Sequence, residues 1–169
     1  MELDSILDDN EITNNNVEIY EIDPYVATYD NILSAEECNH FIEISKNNLK
    51  RALVSDSKGG QVSAGRTGSN YWLRHDYDDI TKLVADRISK IVGMPLQNAE
   101  KYQIIYYGET EEYRTHYDSW CNDGSEKTLR CIKYGGPRLV TALCYLNTVE
   151  EGGGTRMTKL NHTIDAERG

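Results

Sequence analysis

His116 and Asp118 stand two residues apart in Y-R-T-H-Y-D (residues 113–118). In an extended chain, residues i and i+2 project to the same face. An imidazole and a carboxylate side by side can grip one divalent cation. Taken alone, H-x-D is equally the pattern of a surface histidine beside an acid, because the chain holds four histidines and 28 acidic residues. The other histidines have plainer settings. His75 lies just before a helix among Asp76 and Asp78, where acids favour the first turn. His40 falls on a helix face, and His162 in a polar segment.

The elements that must position the pair can be read from pattern. Tyr102, Ile104, Ile105, Tyr106 and Tyr107 form an apolar, aromatic run that reads as a strand; Gly108–Glu112 reads as a turn and Tyr113–Asp118 as a second strand. Upstream, Ser34 and Glu37 make a capping box, followed by Cys38, Phe41, Ile42, Ser45 and Leu49 at helical spacing. A second helix over about 79–92 places Ile80, Leu83, Val84, Ile88 and Ile91 on one face, and Gly93 and Pro95 stop it. Val17–Ile22 suits an edge strand, and the Ser- and Gly-rich stretch 55–68 a mobile loop. Further strands are expected at 138–147 and 154–159. Helices followed by a run of strands imply an α+β protein with helices buttressing an antiparallel sheet. Residues 1–16, acidic and Asn-rich, read as a disordered tail before one domain over 17–169.

Composition narrows the classes. A formal charge of −10 argues against sequence-independent nucleic-acid binding, which needs clustered Lys and Arg. No apolar run reaches the roughly 18–20 residues of a membrane span, and the acidic start lacks the basic and apolar regions of a secretory signal. A soluble, cytoplasmic protein is the expectation. Cys38, Cys121, Cys131 and Cys144 lack C-x-x-C spacing, so zinc is not expected and reduced thiols are favoured over disulfides. Nothing in the sequence bears on oligomeric state.

Four blocks carry a family resemblance: A-G-R-T-G-S-N-Y-W-L (64–73), A-E-K-Y-Q-I-I-Y-Y (99–107), Y-R-T-H-Y-D (113–118) and G-G-P-R-L-V-T-A-L-C-Y-L-N-T-V-E-E-G-G-G-T (135–155). In this order and spacing they resemble the catalytic domain of prolyl 4-hydroxylases, of the Fe(II)- and 2-oxoglutarate-dependent dioxygenase superfamily. The resemblance implies a double-stranded β-helix, a jelly roll of two antiparallel sheets. It also implies Fe(II), 2-oxoglutarate, O2 and L-ascorbate as cofactors and cosubstrates, and a proline-containing peptide or protein as substrate. His116 and Asp118 would be two ligands of the His, His, carboxylate triad of such iron sites. Tyr107 and Thr155 would line the 2-oxoglutarate pocket. Arg66, Glu100, Tyr113 and Arg138 would hold the peptide.

The same resemblance implies a second iron histidine and a basic cosubstrate anchor some tens of residues beyond Thr155. Neither Lys159 nor Arg168 stands where the family has its anchor, so the domain is expected to be incomplete at its C-terminal side. Two alternatives stay open: a dioxygenase acting on lysine or another target, and a catalytically silent chain that binds a peptide or a partner.

Overall fold

The computed structural model describes residues 17–56 and 58–169, so the tail expected over 1–16 lies outside the described residues. The α+β expectation holds. In chain order the elements of the described residues are β1 (Val17–Ile22), β2 (Tyr25–Tyr29), α1 (Ala35–Ser45), β3 (Lys50–Arg51), β4 (Ser69–Leu73), α2 (Asp79–Val92), β5 (Tyr102–Tyr106), α3 (Glu126–Ile132), β6 (Thr155–Met157) and β7 (His162–Ile164), with a 3-10 turn at Leu96–Asn98. The strands form three antiparallel sheets: β1-β2, β3-β4-β5 and β6-β7.

The middle sheet organises the molecule. β4 and β5 pair from Ser69↔Tyr106 to Leu73↔Tyr102. Alternation then puts Tyr71, Leu73, Tyr102 and Ile104 on one face. There they meet Phe41 and Cys38 of α1 and Val84, Ile88 and Ile91 of α2 in the main core. Tyr102 crosses this layer, its hydroxyl donating to the Thr81 carbonyl at 2.8 Å, and burial pushes its phenol well above the ordinary range. Tyr107 continues β5 by one residue with the opposite parity, and so falls on the side away from the helices.

Both helix starts obey their local chemistry. Ser34 and Glu37 close the capping box of α1, and Asp78 with Thr81 closes another on α2; Gly93, in the left-handed region at φ 67°, ends α2. The buried face of α2 is Thr81, Val84 and Ala85; Leu83 is 56% exposed and Ile80 also lies outward, a correction to the face expected from spacing.

Arg87 of α2 binds Glu37 of α1 through two hydrogen bonds of 2.9 Å and also reaches the Ile32 carbonyl at 2.7 Å. Those hydrogen bonds from Arg87 hold the Glu37 carboxyl below its usual 4.5, against the opposing effect of burial. A carboxyl depressed in the folded state stabilises fully above its unfolded value, and that contribution is lost as pH falls through the lower folded value. Glu37→Gln is therefore expected to lower the thermal midpoint at neutral pH and to flatten its decline below about pH 4.5. Melting curves from neutral to strongly acidic pH check this.

Two expected strands are not strands. Residues 113–118 form no ladder: only Tyr113 bridges, to Arg66, and the chain bends at Thr115 and Asp118. Residues 138–147 run without a ladder partner among the described residues, and Leu139, Val140 and Leu143 are exposed. A strand needs a neighbour to satisfy its N–H and C=O groups, and alternation alone does not supply one. The described residues accordingly form three small antiparallel sheets.

Candidate metal centre

The stretch carrying His116 is fixed from the side by the loop before β4. Arg114 N–H donates to the Gly65 carbonyl at 2.8 Å, Thr67 N–H to the Glu112 carbonyl at 2.8 Å, and Glu112 N–H to the Thr67 hydroxyl at 2.7 Å. The loop read as mobile is thus laced to the site by hydrogen bonds at both of its chains.

His116 Nδ1 lies 2.8 Å from the Arg114 carbonyl oxygen. The Arg114 carbonyl and the Asp118 carboxylate both only accept, and the tautomer with its hydrogen on Nδ1 is the one that leaves Nε2 free as a donor atom. Nε2 stands 3.1 Å from Asp118 Oδ1. Two donors bound side by side to one cation at about 2.1 Å are about 3 Å apart. The 3.1 Å separation of the pair matches that spacing. The outer oxygen of Asp118, Oδ2, accepts from the Thr141 hydroxyl at 2.7 Å. Among the described residues no group of three or more His, Cys, Asp or Glu comes together, and the pair stands as two candidate ligands.

His116 also joins a wall of aromatic and basic groups. Its ring stacks on Tyr113 with centroids 3.6 Å apart, and the Arg66 guanidinium lies 4.6 Å from the Tyr113 ring centre. Arg66 is only 7% exposed; its Nη1 donates to the Leu53 carbonyl at 3.0 Å, while Nε is buried without a hydrogen-bond partner among the described residues. Burial raises the Tyr107 phenol above its ordinary value, and the nearby Arg66 charge opposes that rise. On the far side, Arg138 donates to both oxygens of Glu100, at 2.5 and 2.8 Å, and to the Asp118 carbonyl at 3.3 Å. Pairing with Glu100 raises the Arg138 guanidinium further above its ordinary value.

One line of contacts thus connects Tyr107, Arg66, Tyr113, His116, Asp118, Arg138 and Glu100, seven residues drawn from four separate sequence blocks. The remaining histidines are otherwise engaged. His40 faces Asp78 at 2.6 Å, but that carboxylate also caps α2; His75 packs edge-on against Tyr102, and His162 lies against Tyr20.

Over 152 residues the chain is 33% identical to prolyl 4-hydroxylase 5 of Arabidopsis thaliana, a match covering 89% of this chain and 50% of the relative. Prolyl 4-hydroxylase 2 of the same plant is 33% identical over 134 residues, covering 78% and 43%, and the probable prolyl 4-hydroxylase 7 is 34% identical over 134 residues, covering 78% and 40%. The chain is prolyl 4-hydroxylase-like. It spans about half the length of the curated relatives it matches, or less. No protein-family model matches the chain.

Within this prolyl 4-hydroxylase-like chain, Thr155 stands apart from the line of contacts. It opens β6, and its hydroxyl oxygen accepts from the Tyr145 hydroxyl at 2.7 Å. Beside it, Arg156 reaches Asn161 at 3.4 Å, and Lys159 lies 5.0 Å from the Tyr117 ring centre. Arg168 is drawn away to the Ala35 carbonyl and to Asn39, the latter at 2.7 Å. Sequence reading did not single out Thr141 or Tyr145. Their one visible signal was that both lie in the 135–155 block. No helix among the described residues is long and apolar enough to cross a membrane.

Proposed function

We propose that these residues are part of a Fe(II)- and 2-oxoglutarate-dependent dioxygenase that hydroxylates proline in a peptide or protein, with decarboxylation of 2-oxoglutarate to succinate. The observation that carries the reading is the 3.1 Å His116 Nε2–Asp118 Oδ1 pair, set in a chain one-third identical to prolyl 4-hydroxylases. The parent fold is then the double-stranded β-helix, with L-ascorbate and O2 completing the set of small molecules.

When bound, iron and 2-oxoglutarate supply the oxygen-activating chemistry. The chain's own work is positioning. His116 Nε2 and Asp118 Oδ1 would hold the ion. Tyr107, with its phenol kept protonated by burial, donates a hydrogen bond to the distal carboxylate of 2-oxoglutarate. Thr155 accepts from Tyr145 and keeps its own O–H to donate to the same carboxylate. Tyr113 and Arg66 offer a stacking surface beside His116, and the Glu100–Arg138 pair borders Asp118; between them a prolyl ring and its flanking amides are held near the metal.

The test is an assay of the protein that carries this chain, with a proline-rich peptide, following succinate and oxygenated peptide by mass. His116→Ala and Asp118→Ala are expected to abolish both signals. Tyr107→Phe is expected to raise the KM for 2-oxoglutarate about tenfold, the cost of one hydrogen bond to a charged group, with the peptide KM unchanged. Turnover that survives His116→Ala contradicts the assignment. The pairing of only two ligands favours one second reading, a silent peptide-binding chain. It predicts peptide binding by calorimetry with no turnover under any metal.

A further inference from the structure

We infer that Thr141 is a positioning residue that makes Asp118 a one-oxygen ligand. The inference rests on the metal-site reading above. An aspartate carboxylate has two equivalent oxygens, and its terminal torsion is broad and twofold. Unaided and exposed, Asp118 would present either oxygen, or both, to a cation. Thr141 removes that freedom. Its hydroxyl donates to Oδ2 at 2.7 Å and leaves Oδ1 alone beside His116 Nε2 at 3.1 Å.

The same stretch of chain grips Asp118 a second time. Arg138 Nη1 donates to the Asp118 carbonyl at 3.3 Å while Glu100 holds the guanidinium through Nε and Nη2. Segment 138–141 therefore fixes the main chain of the aspartate through Arg138 and its carboxylate through Thr141. On the other ligand the Arg114 carbonyl plays the matching part, setting which ring nitrogen of His116 is free. Each of the two ligands thus has one outer partner that orients it. Such partners commonly carry a tenfold to hundredfold share of metal affinity.

Thr141 is exposed, so its loss leaves no buried cavity and no buried orphan group. That separates the role in orientation from a role in folding. The experiment titrates the 169-residue chain with Mn(II) alone and reads free Mn(II) by its paramagnetic resonance. The proteins compared are wild type, Thr141→Val, Thr141→Ser and Asp118→Ala, each with its thermal midpoint. Expected is a weakening of about tenfold to hundredfold in Thr141→Val at an unchanged midpoint, with affinity restored in Thr141→Ser. Thr141→Val binding as tightly as wild type, while Asp118→Ala loses the ion, overturns the role of Thr141 and leaves the metal site standing. Equal losses in the Val and Ser variants overturn it as well, because the hydroxyl is then not the cause. Wild-type binding that is indifferent to Asp118→Ala overturns both the inference and the site.

Discussion

Gly68→Ala is expected to destabilise the protein by about 2–3 kcal/mol, whereas Gly65→Ala, three residues earlier in the same loop, is expected to be close to neutral. A Cβ at position 68 would sit 2.5 and 2.6 Å from ring carbons of Tyr107 and 2.7 Å from the Tyr106 carbonyl oxygen. The carbonyl belongs to β5, whose Tyr106 pairs with Ser69, so it cannot step aside without opening the ladder. Gly68 is tethered from the other side too: its own carbonyl accepts from Ala52 N–H at 3.0 Å and from Arg51 Nη1 at 3.2 Å. At Gly65 the nearest atom to an added Cβ is the Ser63 hydroxyl at 3.4 Å, an ordinary contact. Urea denaturation of the two variants decides between a steric demand at one position and a general need for loop flexibility.

Removing either half of the His116–Asp118 pair is expected to weaken Mn(II) binding about a hundredfold or more. The two donor atoms are already 3.1 Å apart, so the second bond to a cation forms at the high effective concentration of a group fixed in place. With one donor gone, the ion meets a single half-exposed side chain in competition with water. Asp118→Ala also removes the carboxylate charge and frees the Thr141 hydroxyl. Asp118→Asn keeps the shape and the acceptor oxygen, and is expected to recover part of the affinity but not the charge.

The chain announced its local structure where local chemistry decides it. The Ser34–Glu37 box and the Asp79–Val92 helix with Gly93 as its stop are set by residues within one turn of each other, and both stand as read. The strand at Tyr102–Tyr106 was legible because its neighbour β4 is present to pair with it. The stretches at 113–118 and 138–147 carry comparable apolar alternation but no ladder neighbour, and pairing is a property of two segments that no single one encodes. β7 and α3, of three and seven residues, were too short for a period to emerge. The site was more legible than the sheets around it. His116 and Asp118 meet although their segment forms no ladder and bends at Thr115 and Asp118, so the two-residue spacing held without the strand it was read from. Thr155 was read only by resemblance to a pocket, and its hydrogen bond with Tyr145 could not be foreseen from a residue ten positions away.

Everything functional here depends on His116 and Asp118 receiving one cation between them. The four histidines provide an internal test by NMR of the imidazole protons as Mn(II) is added in small steps, since a bound paramagnetic ion broadens only nearby signals. The expected result is early loss of the His116 resonances while those of His40, His75 and His162 stay sharp, and no such selectivity in Asp118→Ala. Broadening that begins at another histidine, or that strikes all four together, would contradict a metal centre at this pair.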